Sequence, residues 1–225
     1  VWNSLGSDVQ IGKMSHDLDL IPLCPFPPIP WWGMVLGGGV GLDGLEHYQK
    51  RSFRNRYTIM SSTGTLNLTV PVEKRGGNPR PQHQTLRVTG EPDRKAWQAV
   101  KTAYGRAPYF EEMAQELESL FLRGPENLGG WNLATVDWAS SWLGIERPVL
   151  VTEGEYQVQD HGHLMMQLMA SASVMNPCRW SHVWGDRNEK IPFVFVGILD
   201  ALLHLGPEAV NLIRPVPQSG SQRRG

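Results

Sequence analysis

The chain has 225 residues, of which 19% are charged, and a formal net charge of −1 at pH 7. That length suits one substantial domain able to bury a core without disulfide or metal staples, and the near-neutral balance excludes bulk nucleic-acid binding, which needs a basic excess. The two cysteines, Cys24 and Cys178, have no repeating spacing, so neither a disulfide framework nor a zinc motif is indicated, and a reducing cytoplasm is the expected location.

The first residue is Val1 rather than Met, which suggests a processed or trimmed start. Residues 1–19 lack periodicity and read as a flexible lead-in. From Leu20 to Gly33 the chain carries five prolines, which argue against a central strand or a helix interior. An extended, aromatic-ended segment lying across the core surface is expected, with Phe26, Trp31 and Trp32 available to wall a pocket. The glycines of Gly37–Gly41 read as a flexible turn, since no Gly-Lys-Ser/Thr follows and no strand clearly precedes them.

The stretch from Leu45 to Met60 concentrates the local charge. It places His47, Lys50, Arg51, Arg54 and Arg56 beside Tyr48, Phe53, Asn55 and Tyr57. A strand starting near Tyr48 would put Tyr48, Lys50, Ser52, Arg54 and Arg56 on one face. Arginine forks and a lysine on such a face match a diphosphate, although edge strands also carry such charges merely to block aggregation. His47 is the natural general base near neutral pH, and Asn55 could donate to a developing oxyanion. Glu46, adjacent on a strand, would face away from His47.

Two β-rich runs flank Ser62-Thr63-Gly64 and predict a hairpin, with Leu66, Leu68 and Val70 on its buried face. Glu73–Pro81 reads as a basic loop, and Thr85–Thr89 as a short strand. Three helices follow: Pro92 to Gly105, Pro108 to Gly124 and Pro125 to Gly144, each opened by proline and stopped by glycine. Their stripes of Trp97, Val100 and Tyr104, then Met113, Leu117 and Phe121, then Leu128, Trp131 and Thr135, belong in a core. Pro148–Thr152 reads as a strand and His161–Ser173 as a helix. Val194–Leu205 reads as another helix, with Asp200 and His204 on one face, before a short helix from Pro207 and a flexible tail over 216–225. The apolar run from Ile191 to Leu205 is too interrupted to span a bilayer. The sum is a mixed α+β fold: a single domain over 20–215, with a hairpin-containing β part followed by a helical half.

Other chemistry is weaker. The stretch Asp160-His-Gly-His163 resembles metal-ligand material, but its two histidines, His161 and His163, have no third ligand placed at zinc spacing, and Cys178 has no spacing-defined partner beyond the nearby His182. Neither a metal nor a cofactor is expected.

Several motifs in order resemble the WbqC-like protein family: Phe26-Pro-Pro-Ile-Pro-Trp-Trp, Glu46-His-Tyr-Gln-Lys-Arg-Ser-Phe-Arg-Asn-Arg, Leu68-Thr-Val-Pro-Val, and Trp97 through Phe110. Leu143-Gly-Ile, Ile198-Leu-Asp-Ala-Leu-Leu and Gly206-Pro extend the match over residues 22 to 213. The resemblance implies a place among surface-polysaccharide (O-antigen type) genes and an acyl- or aminoacyltransferase activity, with glycine one candidate, toward an amino sugar. The residues it carries over are Tyr48, Lys50, Arg51, Ser52, Asn55 and Arg56, with Tyr104 and Asp200 behind them. Joined to the basic face, it suggests a nucleotide-linked amino sugar as ligand, held by Lys50, Arg54 and Arg56, with Tyr48 and Trp32 against base or sugar. The alternatives are a non-catalytic binder of the same ligand or of a partner enzyme, and a cysteine- or metal-dependent hydrolase.

Overall fold

In the computed structural model the described residues are 11–13, 18–49, 52–73, 88, 94–153 and 197–213. They form a mixed α+β fold with two small sheets. The larger sheet is parallel, in the order β1 (Ile11–Lys13), β6 (Leu150–Glu153), β3 (Val40–Asp43), β2 (Asp19–Pro22). The smaller is a hairpin of β4 (Arg56–Ser61) and β5 (Gly64–Thr69), in register from Arg56 opposite Thr69 to Ser61 opposite Gly64.

The proline-rich segment departs from the extended surface path. Pro22 closes β2, and helix α1 (Ile29–Gly37) starts with Pro30 in its first turn, where a missing N–H costs no hydrogen bond. Trp31 and Trp32 are fully enclosed, and Phe26 is packed among Tyr57, Phe121, Trp131 and Trp138. The segment is core. The glycine turn forms as read, with Gly38 and Gly39 at φ 78° and 67° carrying the chain from α1 into β3.

The hairpin forms around Ser62–Thr63, but its first strand starts at Arg56, not near Tyr48. Leu66 is exposed although Ile59 opposite it is buried, because β5 has β4 as its ladder partner and lies at the rim of the apolar core.

Helices α2 (Arg94–Tyr104), α3 (Phe110–Arg123) and α4 (Leu128–Leu143) stop just before Gly105, Gly124 and Gly144. α4 begins after Asn127, whose side chain accepts from the Gly130 N–H, so it starts three residues beyond Pro125. It buries more than one stripe, Asn132, Val136 and Ser140 as well as Trp131 and Thr135. α5 (Ile198–Leu205) and a 3-10 helix, Gly206–Leu212, close the described chain. Among the described residues no helix is long and apolar enough to cross a membrane. The helix read at His161–Ser173 and most of the strand read at Thr85–Thr89 lie outside the described residues; Val88 makes a bridge to Val72.

Candidate active site at the carboxyl edge of the parallel sheet

In parallel sheets the carboxyl ends of the strands are the usual place for ligands. Here β2 runs out into Leu23 and Cys24, and β3 into Asp43 and the charged motif. Asp43 is buried and its Oδ1 accepts from the Leu45 N–H at 2.9 Å, turning the chain inward. Glu46 follows, also buried. Further on, Ser52 Oγ donates to the Gln49 carbonyl at 2.6 Å and accepts from the Arg54 N–H at 3.4 Å, opening a 3-10 turn over Phe53–Asn55.

That turn drives Arg54 into the protein. Its side chain is 2% exposed and its Nη2 donates to Oε1 of Glu46, itself 1% exposed. The guanidinium also lies over the Phe53 ring, 4.9 Å from its centroid. The buried charge is therefore met by a buried opposite charge, the condition for keeping either one inside. The expected face of Tyr48, Lys50, Ser52, Arg54 and Arg56 does not form, because the Ser52-capped turn breaks the alternation a strand would impose. Arg54 points inward and Arg56 is exposed at the start of β4. Instead, the Glu46–Arg54 pair fastens the base of a loop that carries His47, Tyr48 and Ser52, each half-buried. Lys50 and Arg51 lie on the same loop in sequence but outside the described residues.

Three other sequence candidates lie in the interior. Asn55 is buried and its Nδ2 donates to the Val70 carbonyl at 2.9 Å, so it ties the motif to the end of the hairpin rather than offering a donor to a substrate. Trp32 has no exposure; its indole N–H donates to the Pro27 carbonyl at 3.3 Å and its ring meets Trp31 edge-on, so it walls no pocket. Asp200 is buried in α5 with His204 Nδ1 at 3.1 Å from its Oδ1. Burial, and then the Asp200 charge, holds the neighbouring Tyr104 phenol well above its usual pKa, while its oxygen accepts from the Met60 N–H at 2.9 Å. Met60 lies four residues along β4 from Arg56, about 13 Å at strand rise.

Sequence reasoning missed two contributors. Glu46 was read only against its neighbour His47, and an acid eight residues before an arginine follows no helical or strand period. Asn132 lies inside a helical stripe of aromatics; its Nδ2 donates to the carbonyls of Leu23 and Arg54 at 3.2 and 2.8 Å. Cys24 sits beside this group. Burial pushes its thiol up to about 12, with the Arg54 charge acting the other way, so it is protonated and unreactive at neutral pH. Among the described residues no set of three His, Cys, Asp or Glu side chains could hold a metal ion. Asp160, His161, His163, Cys178 and His182 lie outside them.

A small parallel sheet whose carboxyl edge carries an ion-paired basic loop, backed by helices, is the setting of the most specific motif of the chain. The chain belongs to the WbqC-like protein family, whose model matches residues 40–178, from the first residue of β3 through the loop and the three central helices. It is similar to a protein of Mycobacterium tuberculosis (strain ATCC 25618 / H37Rv) named "Uncharacterized protein Rv1507c". The two are 29% identical over 219 residues, covering 83% of this chain and 94% of that protein. No solved structure matches.

Proposed function

We propose that this chain is an acyl- or aminoacyltransferase acting on the amino group of a nucleotide-linked amino sugar, in the cytoplasmic stage of surface-polysaccharide synthesis. The observation that carries the reading is the loop between Glu46 and Arg54, fastened by a buried ion pair at the carboxyl edge of the parallel strands. Loops held this way on a rigid scaffold place side chains accurately for chemistry. His47, at the start of the loop, is the base. As the sugar nitrogen bonds to the acyl carbon, His47 takes the amine proton, the bond from that carbon to the donor's leaving group breaks, and the proton passes to the leaving group. Lys50, Arg51 and Arg56 meet the diphosphate, with Tyr48 against the sugar or base. Arg54, engaged by Glu46, holds the loop.

A thermal-shift panel of nucleotides, nucleotide sugars and divalent metals tests this. A nucleotide amino sugar at 100 times its Kd should add about 2.7 kcal/mol, a rise of roughly 5–10 °C for a chain of this size. Mass spectrometry of that sugar incubated with cell extract should then show an added acyl group, lost in His47→Ala. Absence of a shift with every nucleotide sugar would sink the proposal. A shift without product identifies a binder, and a shift with zinc alone identifies the hydrolase.

A further inference from the structure

One turn of α4 touches both segments that make the candidate site. Asn132 is fully buried, and its amide donates to the Leu23 carbonyl just past β2 and to the Arg54 carbonyl in the motif. One helical turn on, Thr135 Oγ1 accepts from the Phe26 N–H at 3.0 Å and donates to the Asn132 carbonyl at 2.7 Å. The peptide it holds is strained: Phe26 has φ 41°, a left-handed conformation unfavourable for an aromatic residue. Strain of this kind persists only where the surroundings over-determine it, and here a hydroxyl on one side and an aromatic cluster on the other do so.

We infer that Asn132 and Thr135 form a positioning clamp that locks the Leu23–Phe26 turn and the Arg54 turn against each other, setting the loop between Glu46 and Arg54 at the sheet edge. The inference rests on reading that loop as the site. Core packing alone does not call for it. An Asn whose two donor hydrogens serve carbonyls far apart in sequence specifies relative position, which leucine at the same place would not. The Oδ1 of Asn132 is buried without a hydrogen-bond partner among the described residues, so the residue is kept at a polar cost that its two donated bonds offset.

Cys24, within the clamped segment, is a built-in reporter, and its labelling by a small maleimide can be read peptide by peptide by mass spectrometry under native conditions. Asn132→Leu keeps the shape and removes the donors. Val136→Ala, in the same helix and also buried, loosens packing without touching the clamp. Each variant's gain in Cys24 labelling is compared with its change in the global unfolding constant from urea titration. The clamp predicts that Asn132→Leu accelerates labelling at least about tenfold beyond its global change, because two carbonyls lose their donor and the segment opens locally. Val136→Ala should track the global change. If Asn132→Leu tracks it too, the clamp is refuted and Asn132 is a packing residue. A second arm adds a uridine-diphosphate 2-amino sugar, which should slow labelling in the wild type and not in Asn132→Leu. Failure to slow the wild type overturns the site reading, while the first comparison still decides the clamp. Equal slowing in both proteins overturns the clamp.

Discussion

Replacing Glu46 by Gln strips the charge from one half of the Glu46–Arg54 pair while keeping size and shape. The partner it leaves is a guanidinium 2% exposed to solvent, and the carboxylate lost was 1% exposed, so water cannot take over. Removing one member of a buried ion pair costs about 3–5 kcal/mol, a large part of the roughly 5–15 kcal/mol that holds a domain together. At about 2–4 °C per kcal/mol for a chain of this length, Tm should fall by about 10 °C. Urea denaturation of Glu46→Gln, Arg54→Met and the double variant closes the cycle. The double variant should recover at least about 2 kcal/mol relative to the sum of the singles, because both buried charges are removed together. The loss should persist in about 1 M salt, since buried pairs are little screened. A single-variant loss within about 0.5 kcal/mol of zero would show a solvated pair and leave the loop unfastened.

Two more outcomes follow from burial. Because the Cys24 thiol titrates at about 12 when folded, against an ordinary 9.0, its neutral form contributes stability in full below pH 9 that erodes as pH rises toward 12. Cys24→Ala should flatten that alkaline loss in urea titrations at pH 8 to 11, and an unchanged slope would contradict the burial. Gly206 has φ 57°, and a Cβ there would stand 2.4 Å from the Tyr109 ring, so Gly206→Ala should lower stability by about 2–4 kcal/mol in thermal melts, with Tyr109→Ala in the same chain recovering part of it.

The helices α2 to α4 were legible because proline, glycine and a 3.6-residue stripe all act locally, and the Ser62–Thr63 hairpin because its signal spans a dozen residues. Of the parallel sheet one strand was, β6, read at Pro148–Thr152, but not the sheet itself. Its strands are three or four residues long, β3 is buried at every position instead of alternating, and its partners come from distant parts of the chain. The charged motif was legible as a cluster in the sequence, and its geometry was misread for a single reason. Alternation assumes an extended chain, and the Ser52 hydroxyl, hydrogen-bonded at both ends of the turn, folds that chain back. Arg54 thereby changes from a ligand-facing charge to an internal fastener, a change visible only once Glu46 is beside it.

The central position of β6 gives the molecule an assembly order. β1 and β3 do not pair with each other; both pair with β6, with Ile11 and Leu42 each opposite Leu150. On the ribosome, at about 5–20 residues per second, the β2–α1–β3 unit therefore emerges roughly 5–20 s before the strand that joins β1 to it, while α4, ending at Leu143, precedes that strand by about a second or less. Until Leu150–Glu153 arrives, β3 presents an unpaired edge to whatever else is nearby. Truncation before residue 150 would make that state permanent, yielding an aggregation-prone fragment rather than a smaller working domain.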